Sequence, residues 1–464
     1  MEDGRKEKMP WVAAVEDQLK QYGVAEAAAA EAAQWQKHSV YRVPAHIKKN
    51  GKQHSADDSP YEPQLVSLGP FHHGSVDLRP MEEHKRRALM HLLRRTGASI
   101  RDLAAAVEAV VERLQDAYMD LDGRWRGDGG GRDRFLEVMV TDGCFLLEVM
   151  RTAAQEGELG DYTENDPVFS RHGELYVFPY VRRDMLMMEN QLPLLVLQRL
   201  VAVVRGHDAA TDDAINNMVL RFVSLTPDPP AISGGGLALH PIDVCHRSLL
   251  HGSPPSGTIC KGRQDDFVPS ATELEQAGVR FSRSATRSLH DIRFHRGVLY
   301  IPELAADDTT EHKLFSLMAY EQLHPGAGAN EVTAYVFFMD NVIKSADDAR
   351  LLSARGVVSN GLGSDEAVAR MFNRLANNAV LDKQSPLRAV HGQVNDHREN
   401  AWNEWRASFA KNHAGNPWAI ISLVAAIFLL VLTVVQTVYT VLPYYHQHSA
   451  PAAAANNLVV HRLV

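Results

Sequence analysis

Apolar side chains recur at helical spacing through most of this chain and then crowd into one uninterrupted run near its end. Leu103, Val107, Val110, Leu114, Ala117 and Leu121 return at alternating steps of four and three, a single seam on one long helix that the glycines of 127–131 break. A second helix, 132–154, places Phe135, Met139, Asp142, Leu146 and Val149 on one stripe. From Arg182 the pattern is helical again, with Met185, Glu189, Leu192 and Val196 on one face and Pro193 either kinking the helix or starting a new one. Further helices are predicted at 310–322, 331–345, 347–355 with Gly356 behind it, and 365–380 after the Ser364 cap. The Ala-rich residues 12–35 read as a loosely attached amphipathic leader.

Few segments alternate. Residues 39–47 and 173–181 read as extended, and 278–282, 289–294 and 298–301 as three short strands, the last two joined at His295-Arg296-Gly297. The stretch 227–262, rich in Pro, Gly and Ser, is the clearest long loop and the place where an internal boundary would fall. The fold class is mainly α with a small antiparallel β-meander. The domains are a leader (1–38), a helical domain (39–410), a transmembrane helix (417–442) and a short tail (443–464).

Residues 417–442 carry no charged side chain. At about 1.5 Å per residue, Trp418 to Leu442 make a helix of roughly 37 Å, longer than the ~30 Å hydrocarbon core, so a tilted span is expected. Asn416 and Pro417 suit its start, and Trp418, Tyr439, Tyr444 and Tyr445 suit the two interfaces. Thr433, Gln436 and Thr440 lie at steps of three and four, and Ser422 and Ala426 are four apart. Either set would let two spans pack, or Gln436 would reach the interface alone. Arg398, Arg406 and Lys411 precede the span and only Arg462 follows it, which puts the large N-terminal part in the cytosol. The opening residues lack the apolar core of a secretory signal, and the few residues after the span fit a tail anchor inserted after synthesis.

Composition adds limits. With 464 residues, 45% hydrophobic and 23% charged, the chain is long and apolar enough for a large core, and disorder is excluded. A net charge of -9 and the lack of a basic stripe argue against nucleic acid as a partner. Cys144, Cys245 and Cys260 are an odd, sparse set suited to a reducing compartment, with Cys144 an inert core thiol; no Asn-X-Ser/Thr acceptor occurs.

Three carboxylates, Asp142, Glu189 and Glu321, fall on apolar positions of three predicted helices, where charge is costly unless paired. They form either a catalytic or metal cluster, with His72 or His73 as acid or base, or structural pairs with Lys85, Arg151, Arg182 or Arg183 that fix helix register. Asn190, Gln191 and Gln322 supply amides that fit the second reading. His72 and His73 point apart in most backbones, and turn hydrogen bonding is their expected role. With no HExxH, phosphate loop, G-x-S-x-G or G-x-G-x-x-G, no metal or cofactor is expected. Gly361 to Ser364 reads as a helix cap.

Ten ordered segments then resemble a known family. They are VYRVPAHIKK, YEPQLVSLGPFHHG with ME-x-HK, DGCFLLEVMR, DMLMMENQLPLLVL, PSATELEQAGVRFS, GVLYIPEL, TTEHKLFSLMAYEQ, VTAYVFFMDNVIKSADDARLL, SNGLGSDEAVARMFN and the apolar terminus. From Val40 to Leu442 the chain is similar to the plant family called domain of unknown function 247. The resemblance implies a plant source, a mostly helical domain without assigned activity and a C-terminal span. Certain grass members act as pollen-side determinants of self-incompatibility. The chain departs from the family in its Ala-rich leader and in His246-Arg247-Ser248-Leu249-Leu250-His251. The function expected is a membrane-anchored recognition or signalling protein that meets the lipid bilayer and other proteins, alone or in a homo- or hetero-oligomer. The alternative is an enzyme built on the buried carboxylates.

Overall fold

The helix Gly131–Ala154 runs through the middle of the first half of the domain, with Phe135, Met139, Phe145, Leu146 and Val149 all buried. The helices Arg79–Thr96, Ile100–Glu108, Leu194–Arg205 and Asp212–Val223 pack around it. Gly143 permits the closest approach: a β-carbon there would stand 2.5 Å from Leu200 Cδ1 and 2.9 Å from Val196 Cγ1. In this computed structural model the described residues are 10–21, 29, 31–33, 37–51, 60–127, 129–154, 160–224, 229, 232, 235–252, 267–324, 330–377, 379, 385–399 and 417–448. Cys260, Arg406, Lys411, Arg462 and most of the leader and tail lie outside them.

Hydrophilic caps fix the helix starts. Ser99, Thr211 and Ser364 each accept a backbone N–H from the first turn of the helix they precede. Ser345 and Asp348 form a reciprocal capping box. The second half packs Thr310–Leu323, Glu331–Val342, Ala346–Ala354 and Asp365–Ala376 around one another, with the helix Leu387–Glu399 behind them in sequence. The core is continuous through both halves. The contacts draw no dividing line at 227–262, and within that stretch Pro241–Leu249 is a helix rather than loop.

The fold is mainly helical, and several local expectations are corrected. The seam from Leu103 to Leu121 is carried by two helices, Ile100–Glu108 and Val111–Ala117, because the backbone leaves helical geometry at Val110. Residues 39–47 pair only at Val40, which bridges Tyr118, before turning helical at Ala45–Gly51. Residues 173–181, rich in aromatic and branched side chains, form parts of two short helices: Ser170 caps Arg171–Tyr176, and Pro179 sits in the first turn of Phe178–Met185. The latter stops at Met185, so Glu189 is not helical.

The meander is also corrected. The strands Arg280–Arg283 (β1), Arg293–His295 (β2) and Val298–Ile301 (β3) lie in the order β1-β3-β2, with β1 parallel and β2 antiparallel to β3. Arg296 (φ 49) and Gly297 (φ 76) make the two-residue turn between β2 and β3. A separate parallel pair joins Leu304–Ala306 (β4) to Val358–Asn360 (β5).

The C-terminal helix belongs to a second unit. It runs from Pro417 to His448, beyond the predicted 417–442, and Val424–Leu442 is long and apolar enough to cross a membrane.

Candidate functional site

Residues 66–68 are buried and belong to neither sheet, with bends at 64–65 and 69 on either side, so the N–H and C=O groups of this segment need partners. Side chains supply them. Asp184 Oδ1 accepts Gln64 N–H (3.1 Å), and Oδ2 accepts Leu65 (2.7 Å) and Val66 (2.9 Å). Asn190 Oδ1 accepts Leu68 N–H (2.7 Å), and its Nδ2 donates to Val66 O (2.9 Å). Asp142 Oδ2 accepts Gly69 N–H (2.8 Å), and Lys85 Nζ donates to Ser67 O (2.6 Å). Gly69 is dictated by this closure: at φ +70 its β-carbon would stand 2.6 Å from Tyr118 Oη and 2.9 Å from Gln191 O.

The charges are paired at the same nodes. Lys85, fully buried, lies 2.8 Å from Asp142 Oδ1 and 2.7 Å from Glu82 Oε1. Burial raises the Asp142 pKa against the pull of Lys85, and raises Asp184 against its three backbone N–H groups. Glu189 accepts Val43 N–H (2.7 Å) and meets Lys48 at 2.6 Å and His72 Nε2 at 3.5 Å. Burial opposes its charge, but His72, Lys48 and Val43 outweigh burial and lower its pKa. His73 turns the other way, edge-on to Trp125 at 5.7 Å.

Glu321 sits at a different node. Its two oxygens accept the N–H groups of Val332 (2.8 Å) and Thr333 (2.9 Å) and the Thr333 hydroxyl (2.7 Å), capping the helix Glu331–Val342, while His246 Nε2 lies 3.0 Å away. Asp142 thus binds Gly69, and Glu189 binds Val43 and meets His72, whereas Glu321 ties helices of the second half. Gln191 Oε1 links the halves by accepting Ile242 N–H (3.1 Å); Gln322 is exposed and takes no part. Arg182 and Arg183 pair with none of the three, and Arg151 pairs with Glu148 instead. No group of three or more His, Cys, Asp or Glu side chains suited to a metal occurs among the described residues. Cys144 is buried, which pushes its thiol up to about 12.

Two clefts open away from these carboxylates. One of about 380 Å³ is lined by Leu92, Leu147 and Val201, and its Arg95 and Arg151 pair with Glu148 and Asp161. The other, about 470 Å³, lies between Phe178–Met185, Asp212–Val223, Pro241–Leu249, β4 and the start of Thr310–Leu323. Its walls are mostly apolar, and Arg182, Arg183, Arg287 and Lys313 border it. Size and lining make it the candidate ligand site.

In the C-terminal helix, the Thr433 hydroxyl donates to Leu429 O (2.8 Å), Thr437 to Thr433 O (2.8 Å) and Thr440 to Gln436 O. Those hydroxyls are satisfied within the helix. Ser422 and Ala426 are exposed on it, and the Gln436 carboxamide makes no hydrogen bond among the described residues.

Sequence reasoning passed over Asp184, which holds residues 64–66, and Tyr335, which lines the larger cleft. A signal existed for Asp184, a carboxylate opening the Met-rich run DMLMMENQ. None existed for the cleft, whose walls come from segments far apart in the chain.

The chain is similar to the UPF0481 protein At3g47200 of Arabidopsis thaliana, 26% identical over 427 residues that cover 85% of this chain and 86% of that protein. A second relative, the putative UPF0481 protein At3g02645 of the same plant, is 22% identical over 474 residues, covering 81% of this chain and 86% of its own length. No solved structure matches. The segments that hold residues 64–69 in place lie within the stretch 40–432 that matches the family of plant proteins of unknown function, DUF247, and the chain belongs to that family.

Proposed function

We propose that this protein is a membrane-anchored recognition or signalling protein whose helical domain faces the cytosol and binds other proteins. The observation that carries the reading is the apolar helix Val424–Leu442, whose described side chains are exposed, in a chain whose buried carboxylates are engaged in holding its own backbone. Such a helix is stable in lipid, and carboxylates already bound to two or more internal partners are poorly placed for turnover. The basic residues before the span favour the cytosolic orientation. Pairing of spans, with a second copy or another protein, would be led by Gln436, whose amide gains a partner that lipid does not offer.

Proximity labelling from a tag on the helical domain, in intact plant membranes, tests the reading. A reproducible set of labelled proteins, beyond those labelled by an unrelated protein carrying the same span, is expected. Identical sets would contradict it.

A further inference from the structure

Tyr335 is 2% exposed and lines the 470 Å³ cleft, yet its hydroxyl makes no hydrogen bond among the described residues. Buried phenols normally find partners, and four others here do: Tyr41 donates to His38 O (3.0 Å), Tyr118 to Gln191 O (2.9 Å), Tyr162 to Glu148 (3.1 Å) and Tyr320 to Asp243 (3.1 Å). The open hydroxyl shares its cleft with two cations that form no ion pair among the described residues. Lys313 is half-buried near the N-terminal end of its helix, where the helix dipole disfavours positive charge. Arg182 lies over the Phe222 ring at 4.8 Å and donates only to Phe222 O (2.8 Å).

None of the acids of the cleft pairs with either cation among the described residues. Glu303 is taken by Arg283 (3.2 Å) and Arg287 (3.8 Å), and Asp307 Oδ1 accepts the N–H groups of Thr309 (2.9 Å) and Thr310 (3.0 Å). Asp308 is exposed. The remaining surface is apolar, with Leu186, Leu220, Val223, Leu249, Leu289 and Leu314 along the walls. A donor hydroxyl and positive charge in an apolar cleft of this volume match an anion with a hydrophobic body.

We propose that this cleft binds a small amphipathic carboxylate, its hydrophobic body against the leucines, its charge facing Lys313 and Arg182, and the Tyr335 hydroxyl donating to it. The volume is that of a small molecule rather than a folded partner, so the site is independent of the anchored-recognition reading.

Equilibrium dialysis of naphthalene-2-carboxylate against the full-length chain in lipid nanodiscs, with empty nanodiscs as background, tests this. Saturable binding at one site per chain is expected. Lys313→Met and Tyr335→Phe should each weaken it about tenfold, Lys313→Arg should retain it, and neutral 2-naphthamide should bind about tenfold more weakly. Neither variant removes a bond the empty protein makes, so thermal unfolding should be unchanged. Retention no greater than on empty nanodiscs, equal binding of the amide, or unaltered affinity in both variants would overturn the proposal.

Discussion

His240 shows how burial decides a single residue's chemistry. Its ring is fully buried; Nε2 donates to Ser39 O (2.9 Å) and Nδ1 accepts Asp243 N–H (3.3 Å), so the neutral ring uses both nitrogens. Burial, partly opposed by Asp243, lowers its pKa to about 4. Above pH 6.5 the ring is neutral folded or unfolded. Between 6.5 and about 4 only the unfolded chain takes up the proton, so stability falls with pH across that window, by about 3 kcal/mol for this group. His290, raised by its bond to Glu331, and Asp142 and Asp184, raised by burial, contribute with the opposite sign. The informative measurement is therefore a comparison: urea unfolding of the wild type and His240→Gln from pH 7 to 4, with a shallower decline expected in the variant. Parallel curves would contradict the assignment. At this scale the sequence was only half readable. Helix phase identified Asp142 correctly, but it reached Glu189 through a helix that ends at Met185, and it had no means of finding His240, whose partner Ser39 lies far away in the chain.

Among the elements, the segment 64–69 is the unusual one, because side chains supply the hydrogen bonds that a sheet would otherwise provide. Lys85 and Asp142 close that arrangement in full burial. Lys85→Met would leave Asp142 charged and alone and Ser67 O without its donor, so a loss of about 3–5 kcal/mol is expected in urea unfolding. A loss below about 1 kcal/mol would mean that the segment is held by packing alone. Most long helices were legible from cap or periodicity, as with Ser364 and the rod Gly131–Ala154, although the helix predicted to end at Ser345 stops at Val342 and Ser345 caps the next one. Residues 173–181 misled because aromatic and branched side chains favour strands, while the helix signals, Ser170 and Pro179, stand outside or in the middle of the run. The parallel β1–β3 pairing was invisible for another reason: the turn at Arg296-Gly297 sets β2 against β3, but no local residue says on which side β1 joins.

At the scale of the whole molecule, the apolar terminus is plain in the sequence and the ligand cleft is absent from it. A span needs only consecutive apolar residues, whereas the cleft needs Arg182, Lys313 and Tyr335 brought together from three helices. The anchored domain is the claim from which the proposed function descends. Protease protection on sealed membrane vesicles, cytosolic face outward and washed at alkaline pH, tests it most directly. The account predicts that the chain stays with the washed membranes and that protease added outside digests the helical domain, leaving a fragment the size of the span. Release of the intact chain by the wash, or a helical domain digested only after the vesicles are opened, would contradict it.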